Sequence, residues 1–160
     1  MDPVVLVDRL ADCGITHVVW IPDTTTGAWD DAFVSSSKIK LIRVCREGEA
    51  FGVAAGLYLG GQRPLIIVQC TGLFEAGDAL RNFIHDLGLP LFVLIGLRNY
   101  HAHLDGTTSD TAPAFAEAIL KAWRIPYRIL DDDQKCVEEL THTYLQAWRA
   151  GRAEAVFLAE

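Results

Sequence analysis

Six short aliphatic and β-branched runs recur along the chain, at residues 17–21, 41–44, 65–69, 91–95, 127–130 and 155–158, with helix-forming stretches between them. Brief apolar runs without polar alternation suit strands buried on both faces, whereas a sheet with one wet face would alternate. Strand followed by helix, repeated, describes βαβ units, and these close as a parallel sheet covered on both sides. The expected fold is therefore α/β: a doubly wound, about six-stranded parallel sheet with helices on both faces.

The intervening segments carry their own signals. Asp2 followed by Pro3 reads as an N-cap and first helical position, with Leu6 and Leu10 on one face and Gly14 as the stop. A weak helix is expected over 27–36, one rich in small residues over 47–59 and another over 75–87. Residues 98–112 read as a polar loop leading to a helix near Pro113. Asp131, Asp132 and Asp133 read as the opening of the last helix, where acids suit the positive terminus. With no internal repeat or linker, residues 1–160 fit one domain.

Composition narrows the function. Hydrophobic residues at 51% against 22% charged argue for a folded chain. A net charge of −7 with no basic run argues against nucleic acid as a partner. The longest nearly apolar stretch, 89–97, contains Pro90 and is too short for a bilayer, and Met1-Asp2-Pro3 lacks the start of a signal peptide. A soluble, cytoplasmic protein with no membrane partner is expected. Cys13, Cys45, Cys70 and Cys136 show neither CxxC nor zinc-ligand spacing and are expected to be buried reduced thiols.

In open α/β sheets, ligands bind beyond the carboxyl ends of the strands. Along this chain those positions hold Pro22-Asp23-Thr24-Thr25-Thr26, Arg46-Glu47-Gly48-Glu49, Cys70-Thr71-Gly72 and Arg98-Asn99-Tyr100-His101-Ala102-His103. Such loops offer acids, hydroxyls, a thiol and histidines for acid/base work, without a Ser-His-Asp set. No GxxxxGK[ST] loop occurs, and Pro22-Asp23-Thr24 is not the glycine-rich turn of a nicotinamide-binding oxidoreductase. Gly56, Gly60 and Gly61 fall late in a helix, where close helix packing is the expectation. His101, His103 and Asp105 have metal-capable side chains, but on so short and lone a cluster a solvated loop is the favoured account and no metal site is assigned.

Several segments acquire meaning together. Arg46-Glu47-Gly48-Glu49-Ala50-Phe51-Gly52-Val53-Ala54-Ala55-Gly56 opens with acids and places Gly56 nine positions after Glu47. Around it lie Trp20-Ile21-Pro22-Asp23-Thr24, Gln69-Cys70-Thr71-Gly72-Leu73, Leu91-Phe92-Val93-Leu94-Ile95-Gly96 and Arg124-Ile125-Pro126-Tyr127-Arg128-Ile129-Leu130. In this order they resemble the pyrimidine-binding domain of thiamine-diphosphate-dependent decarboxylases, nearest to the branch of the sulfopyruvate decarboxylase alpha subunit and phosphonopyruvate decarboxylase.

That resemblance implies an enzyme subunit acting on a small 2-oxo acid. Glu47 takes the place of the acid that hydrogen-bonds the cofactor aminopyrimidine and activates it, a task suited to a carboxyl in a dry pocket. Gln69, Cys70, Thr71 and Gly72 are expected beside the cofactor, and Asp23, Thr24, Thr25 and Arg98 beside the substrate. Arg98 suits an anionic phosphonate or sulfonate head group. His101 and His103 fall where related decarboxylases handle substrate protons.

The superfamily's magnesium and diphosphate motif, GDG with a downstream Asn, does not occur in these residues; Gly77-Asp78-Ala79 is a fragment of it. Thiamine diphosphate is thus expected to be shared with a diphosphate-binding beta-type chain that brings Mg2+, in an α2β2 or larger assembly. Leu73-Phe74-Glu75 replaces the family's LGN continuation and Cys70-Thr71 an Asn-Ser pair, pointing to a different 2-oxo acid or to carboligation. The rival reading is a noncatalytic α/β binding module that kept the fold.

Overall fold

The computed structural model describes residues 1–131 and 135–160; Asp132 and Asp133, expected in the last helix's first turn, lie outside the described residues. Among the described residues, six parallel strands form one sheet: β1 His17–Trp20, β2 Lys40–Arg43, β3 Pro64–Gln69, β4 Phe92–Leu97, β5 Tyr127–Asp131 and β6 Glu154–Ala159. Their spatial order is β2-β1-β3-β4-β6-β5. The α/β doubly wound expectation is met, with strand bounds within about two residues of those read from sequence.

Strand pleating sorts the core. Along β1, Val18 and Trp20 face one layer while Val19 faces the other, and along β3 Leu65 and Ile67 oppose Ile66 and Val68. One layer is covered by α3 Glu47–Leu59, α4 Cys70–Arg81 and α6 Ala112–Ala122; the other by α1 Pro3–Asp12, α2 Asp30–Ser35 and α7 Cys136–Ala150. Helix α1 starts as its sequence demands, with Asp2 Oδ1 accepting from the backbone of Val4 and Val5 at 2.8 and 3.1 Å.

Three elements differ from expectation. Helix α4 begins at Cys70, directly after β3, five residues before the expected Glu75 start. The buried stripe Cys70, Leu73, Ala76 and Leu80 supplies a helical period that a glycine- and threonine-containing stretch disguises. It then widens into a π-helical turn, Asn82–Asp86. The polar loop after β4 holds a short helix, α5 Tyr100–Leu104, entered through Asn99 at φ +58°. Asp131 ends β5 instead of opening a helix, and α7 begins at Cys136 with Glu138 and Glu139 in its first turn.

Cys70 and Cys136 are buried as expected, but Cys45 is exposed and Cys13 half-buried, because Cys13 follows the last turn of α1 and Cys45 lies in the bend between β2 and α3. Nor do Gly56 and Gly61 serve close packing within this chain: a Cβ at either would meet nothing within 4 Å. Among the described residues, no helix is long and apolar enough to cross a membrane.

Candidate active site

The strand order reverses about β1: the chain passes from β1 outward to β2, then back across to β3 on the other side. The carboxyl ends of β1 and β3 therefore flank the crevice where doubly wound sheets bind ligands. Gln69 bridges it, donating from Nε2 to Thr24 Oγ1 at 3.0 Å while its Oε1 accepts from Thr71 Oγ1 at 3.1 Å. This chain of hydroxyl, amide and hydroxyl lies open to solvent.

Glu47 is the first residue of α3 and is half-buried. Its side chain rests on the first turn of α4: a Cβ placed on Gly72 would lie 2.5 Å from Glu47 Cγ and 2.6 Å from Oε1. Gly72 is buried and helical, so its value here is space for the carboxylate, not backbone freedom. Among the described residues, the Glu47 carboxylate makes no hydrogen bond or ion pair, leaving both oxygens available to a ligand. Beneath it, Cys70 is fully buried; burial pushes its thiol up, partly opposed by backbone hydrogen bonds from Arg98 and Thr71.

Helix α3 is anchored from outside. Arg46 at its N-cap provides no side-chain cap, and Glu75 of α4 supplies the acceptor instead, taking the Gly48 N–H on Oε2 at 2.9 Å. Glu75 Oε1 also accepts from Arg46 Nε and Nη2 at 3.0 and 2.6 Å. The Gly48 N–H, then the Arg46 guanidinium, hold the Glu75 carboxyl below its usual range. Glu75 thus ties two helices together, where its sequence position suggested a determinant of substrate choice. Glu49 caps locally, accepting from Cys45 N at 3.0 Å.

The remaining expected residues divide. Asp23 turns inward on its own loop: Oδ1 accepts from Thr25 N and Thr26 N at 2.7 and 2.9 Å, and Oδ2 from Thr26 Oγ1 at 2.7 Å. Thr25 packs over Gly96, where an added Cβ would come within 3.0 Å of its Cβ, and donates to Glu160 Oε2 at 3.1 Å. Arg98 gives Nε and Nη2 to Asp110 Oδ2 at 3.1 and 3.0 Å. Asp110 is the hub of the 98–112 segment, accepting also from Asn99 Nδ2 at 3.1 Å and Ala112 N at 3.0 Å. Its carboxyl is held below the usual range by Ala112 N–H first and Asn99 next.

His101 is drawn away from Glu47. Its Nε2 pairs with Asp131 Oδ1 at 3.0 Å at the end of edge strand β5, three strand spacings, roughly 14 Å, from β3. His103 is half-buried on the same short helix. Among the described residues no three His, Cys, Asp or Glu side chains converge on a metal-sized site. Sequence reading missed Asp110, although an acid two residues before a helix opening Ala112-Pro113 is a legible cap. It also missed Glu75 as a tie, because nothing in a sequence marks a cap donated by another helix.

The family described as "Thiamine pyrophosphate enzyme, N-terminal TPP binding domain" matches residues 4–116. Phosphonopyruvate decarboxylase of Streptomyces viridochromogenes is 27% identical over 148 residues, covering 92% of this chain and 36% of that protein. Sulfopyruvate decarboxylase subunit alpha of Methanothermobacter thermautotrophicus is 24% identical over 152 residues, covering 93% of this chain and 90% of the relative. The subunit of the same name from Methanococcus maripaludis is 25% identical over 120 residues, 74% of this chain and 70% of its own length. The chain thus spans about a third of the phosphonopyruvate enzyme but most of each alpha subunit. The matched span contains the β1–β3 crevice, Glu47, Gly72 and Arg98, and the chain belongs to the thiamine pyrophosphate enzyme family through its N-terminal TPP-binding domain.

Proposed function

We propose that this chain is the alpha-type, pyrimidine-binding subunit of a two-chain thiamine-diphosphate-dependent 2-oxo-acid decarboxylase, a carboxy-lyase acting on a sulfopyruvate- or phosphonopyruvate-like substrate. The observation that carries the reading is Glu47: a half-buried carboxylate with free oxygens beside the switch-point crevice, given room by Gly72. An aminopyrimidine presents ring nitrogens and an exocyclic N–H, and a carboxyl with unoccupied oxygens fits them. When bound, thiamine diphosphate supplies the electron sink for loss of carbon dioxide from a 2-oxo acid.

The chain's own residues orient and shield. Glu47 holds a proton at a carboxylate oxygen against the ring, and Gln69, Cys70, Thr71 and Gly72 form the wall beside it. Thr24 and Thr25 border the substrate side, while Asp23 shapes their turn. Arg98 keeps two of its donors on Asp110, leaving Nη1 to meet a sulfonate or phosphonate oxygen. We assign work on substrate protons to His103 over His101, because Asp131 holds His101.

Among the described residues no cluster of His, Cys, Asp or Glu side chains fits the ion of a magnesium diphosphate. We assign Mg2+ and the diphosphate to a beta-type partner bearing the GDG and Asn motif, in an α2β2 or larger assembly. We take residues 1–160 as one pyrimidine-binding unit and set it in the cytoplasm, where a reduced, exposed thiol such as Cys45 is at home. Similarity to proteins named as alpha subunits supports the division of labour.

Co-purification of the tagged chain from its source cells tests the proposal. A co-purifying chain with the GDG and Asn motif, and carbon dioxide release from sulfopyruvate or phosphonopyruvate by the pair with magnesium and thiamine diphosphate, is the expected result. Purification alone, with no cofactor-dependent turnover, would favour the noncatalytic module.

A further inference from the structure

We propose that Glu75 is a positioning residue for Glu47, gripping the chain on both sides of it and setting where its carboxylate stands at the rim of the crevice. The inference rests on the reading of Glu47 given above. Glu75 Oε2 takes the N–H of Gly48, the residue after Glu47, at 2.9 Å, and Oε1 takes two donors of Arg46, the residue before it, at 3.0 and 2.6 Å. A lone helix cap would satisfy a backbone donor only. Here one carboxylate holds both neighbours of the candidate catalytic acid.

The arrangement is geared to position. Glu75 and Gly72 lie three apart on α4, one helical turn, so they present to the same face. Gly72 bounds the Glu47 side chain from Cγ to Oε1, and Glu75 fixes the backbone from which that side chain springs. A Cβ added at Gly48 would sit in ordinary contact, 3.6 Å, with Glu75 Oε2 and the Ala79 methyl, so the start of α3 faces this stretch of α4 directly. Arg46 and Glu75 are exposed enough that their ion pair adds little to global stability. Alignment of α3 against α4, and with it the reach of Glu47, is what the contact controls.

The test compares Glu75→Ala, Glu75→Gln and Glu47→Gln, each in the chain alone and in the complex with its diphosphate-binding partner. In the 15N-labelled chain without cofactor, Glu75→Ala is expected to speed exchange of the Gly48 amide about tenfold while amides of the β3 and β4 core keep their protection. In the complex, exchange of the cofactor thiazolium C2 proton, read by NMR after acid quench, should slow about tenfold, since small misplacements of reacting groups carry large rate losses. The KM for the 2-oxo acid should change less than about twofold. Glu75→Gln, which keeps an acceptor for Gly48, should recover most of both losses, and it decides the matter if Glu75→Ala folds poorly.

Normal C2 exchange in both Glu75 variants beside slowed exchange in Glu47→Gln would overturn the role of Glu75 alone. Normal exchange in Glu47→Gln would instead remove the reading of Glu47, and the inference with it.

Discussion

At the scale of single residues, Gly72 decides the most. Its missing side chain is what the Glu47 carboxylate occupies, with 2.5 Å separating Glu47 Cγ from the place a Cβ would take. Gly72→Ala leaves a helix-compatible residue in a helix, so the fold should survive while Glu47 is pushed aside. Carbon dioxide release by the complex is expected to fall about a hundredfold with a thermal midpoint close to the parent's, because displacing a reacting group by about 1 Å is costly even when nothing else changes. Retained turnover in a folded Gly72→Ala complex would mean that Glu47 has another working position.

The resemblance singles out Gly72 as a motif glycine expected beside a cofactor, but nothing in the sequence marks it as space for Glu47, since contacts between helices 25 residues apart leave no local trace. Asp23 shows the converse. A turn acid and a ligand acid look alike in sequence, and only the three donors gathered from Thr25 and Thr26 reveal that it stabilises its own loop.

Among the elements, strands were the easiest to read and short irregular helices the hardest. The buried runs β3, β4 and β6 announce themselves by continuous apolar composition, every residue of β4 and β6 being buried. Helix α5 has five residues and none buried, so it leaves no stripe to detect. What shapes this region is Asp110, which gathers Arg98, Asn99 and Ala112 and closes the segment carrying His101 and His103.

Because the folded Asp110 carboxyl is held below its ordinary value, its stabilisation is complete above the usual aspartate range and is lost only as pH falls through the depressed value. Amide exchange across residues 99–111, corrected for intrinsic rates, should stay slow down to that range and quicken below it. Asp110→Asn should quicken it already at neutral pH and remove the acid transition. An unchanged acid transition in Asp110→Asn would assign the ordering of this segment to another group.

For the whole molecule, the sheet order brings the loop after β1 and the starts of α3 and α4 to one side of the rim and sends His101 toward β5 on the other. The parallel, doubly wound sheet is legible from the alternation of strand and helix, whereas its strand order and the pull of Asp131 on His101 depend on long-range pairing that no local pattern encodes. Among the described residues the fold presents the Glu47 carboxylate with open oxygens at this rim, and no group of three His, Cys, Asp or Glu side chains that could hold a metal ion.

The most direct measurement is carbon dioxide release from a 2-oxo acid by the chain paired with the proposed diphosphate-binding partner, comparing the parent with Glu47→Gln at equal complex formation. The account predicts steady turnover by the parent pair, none by either chain alone, and a loss of at least about a hundredfold in Glu47→Gln, within the range for removing a group that acts on a proton in the reaction. Equal turnover by parent and Glu47→Gln would contradict it.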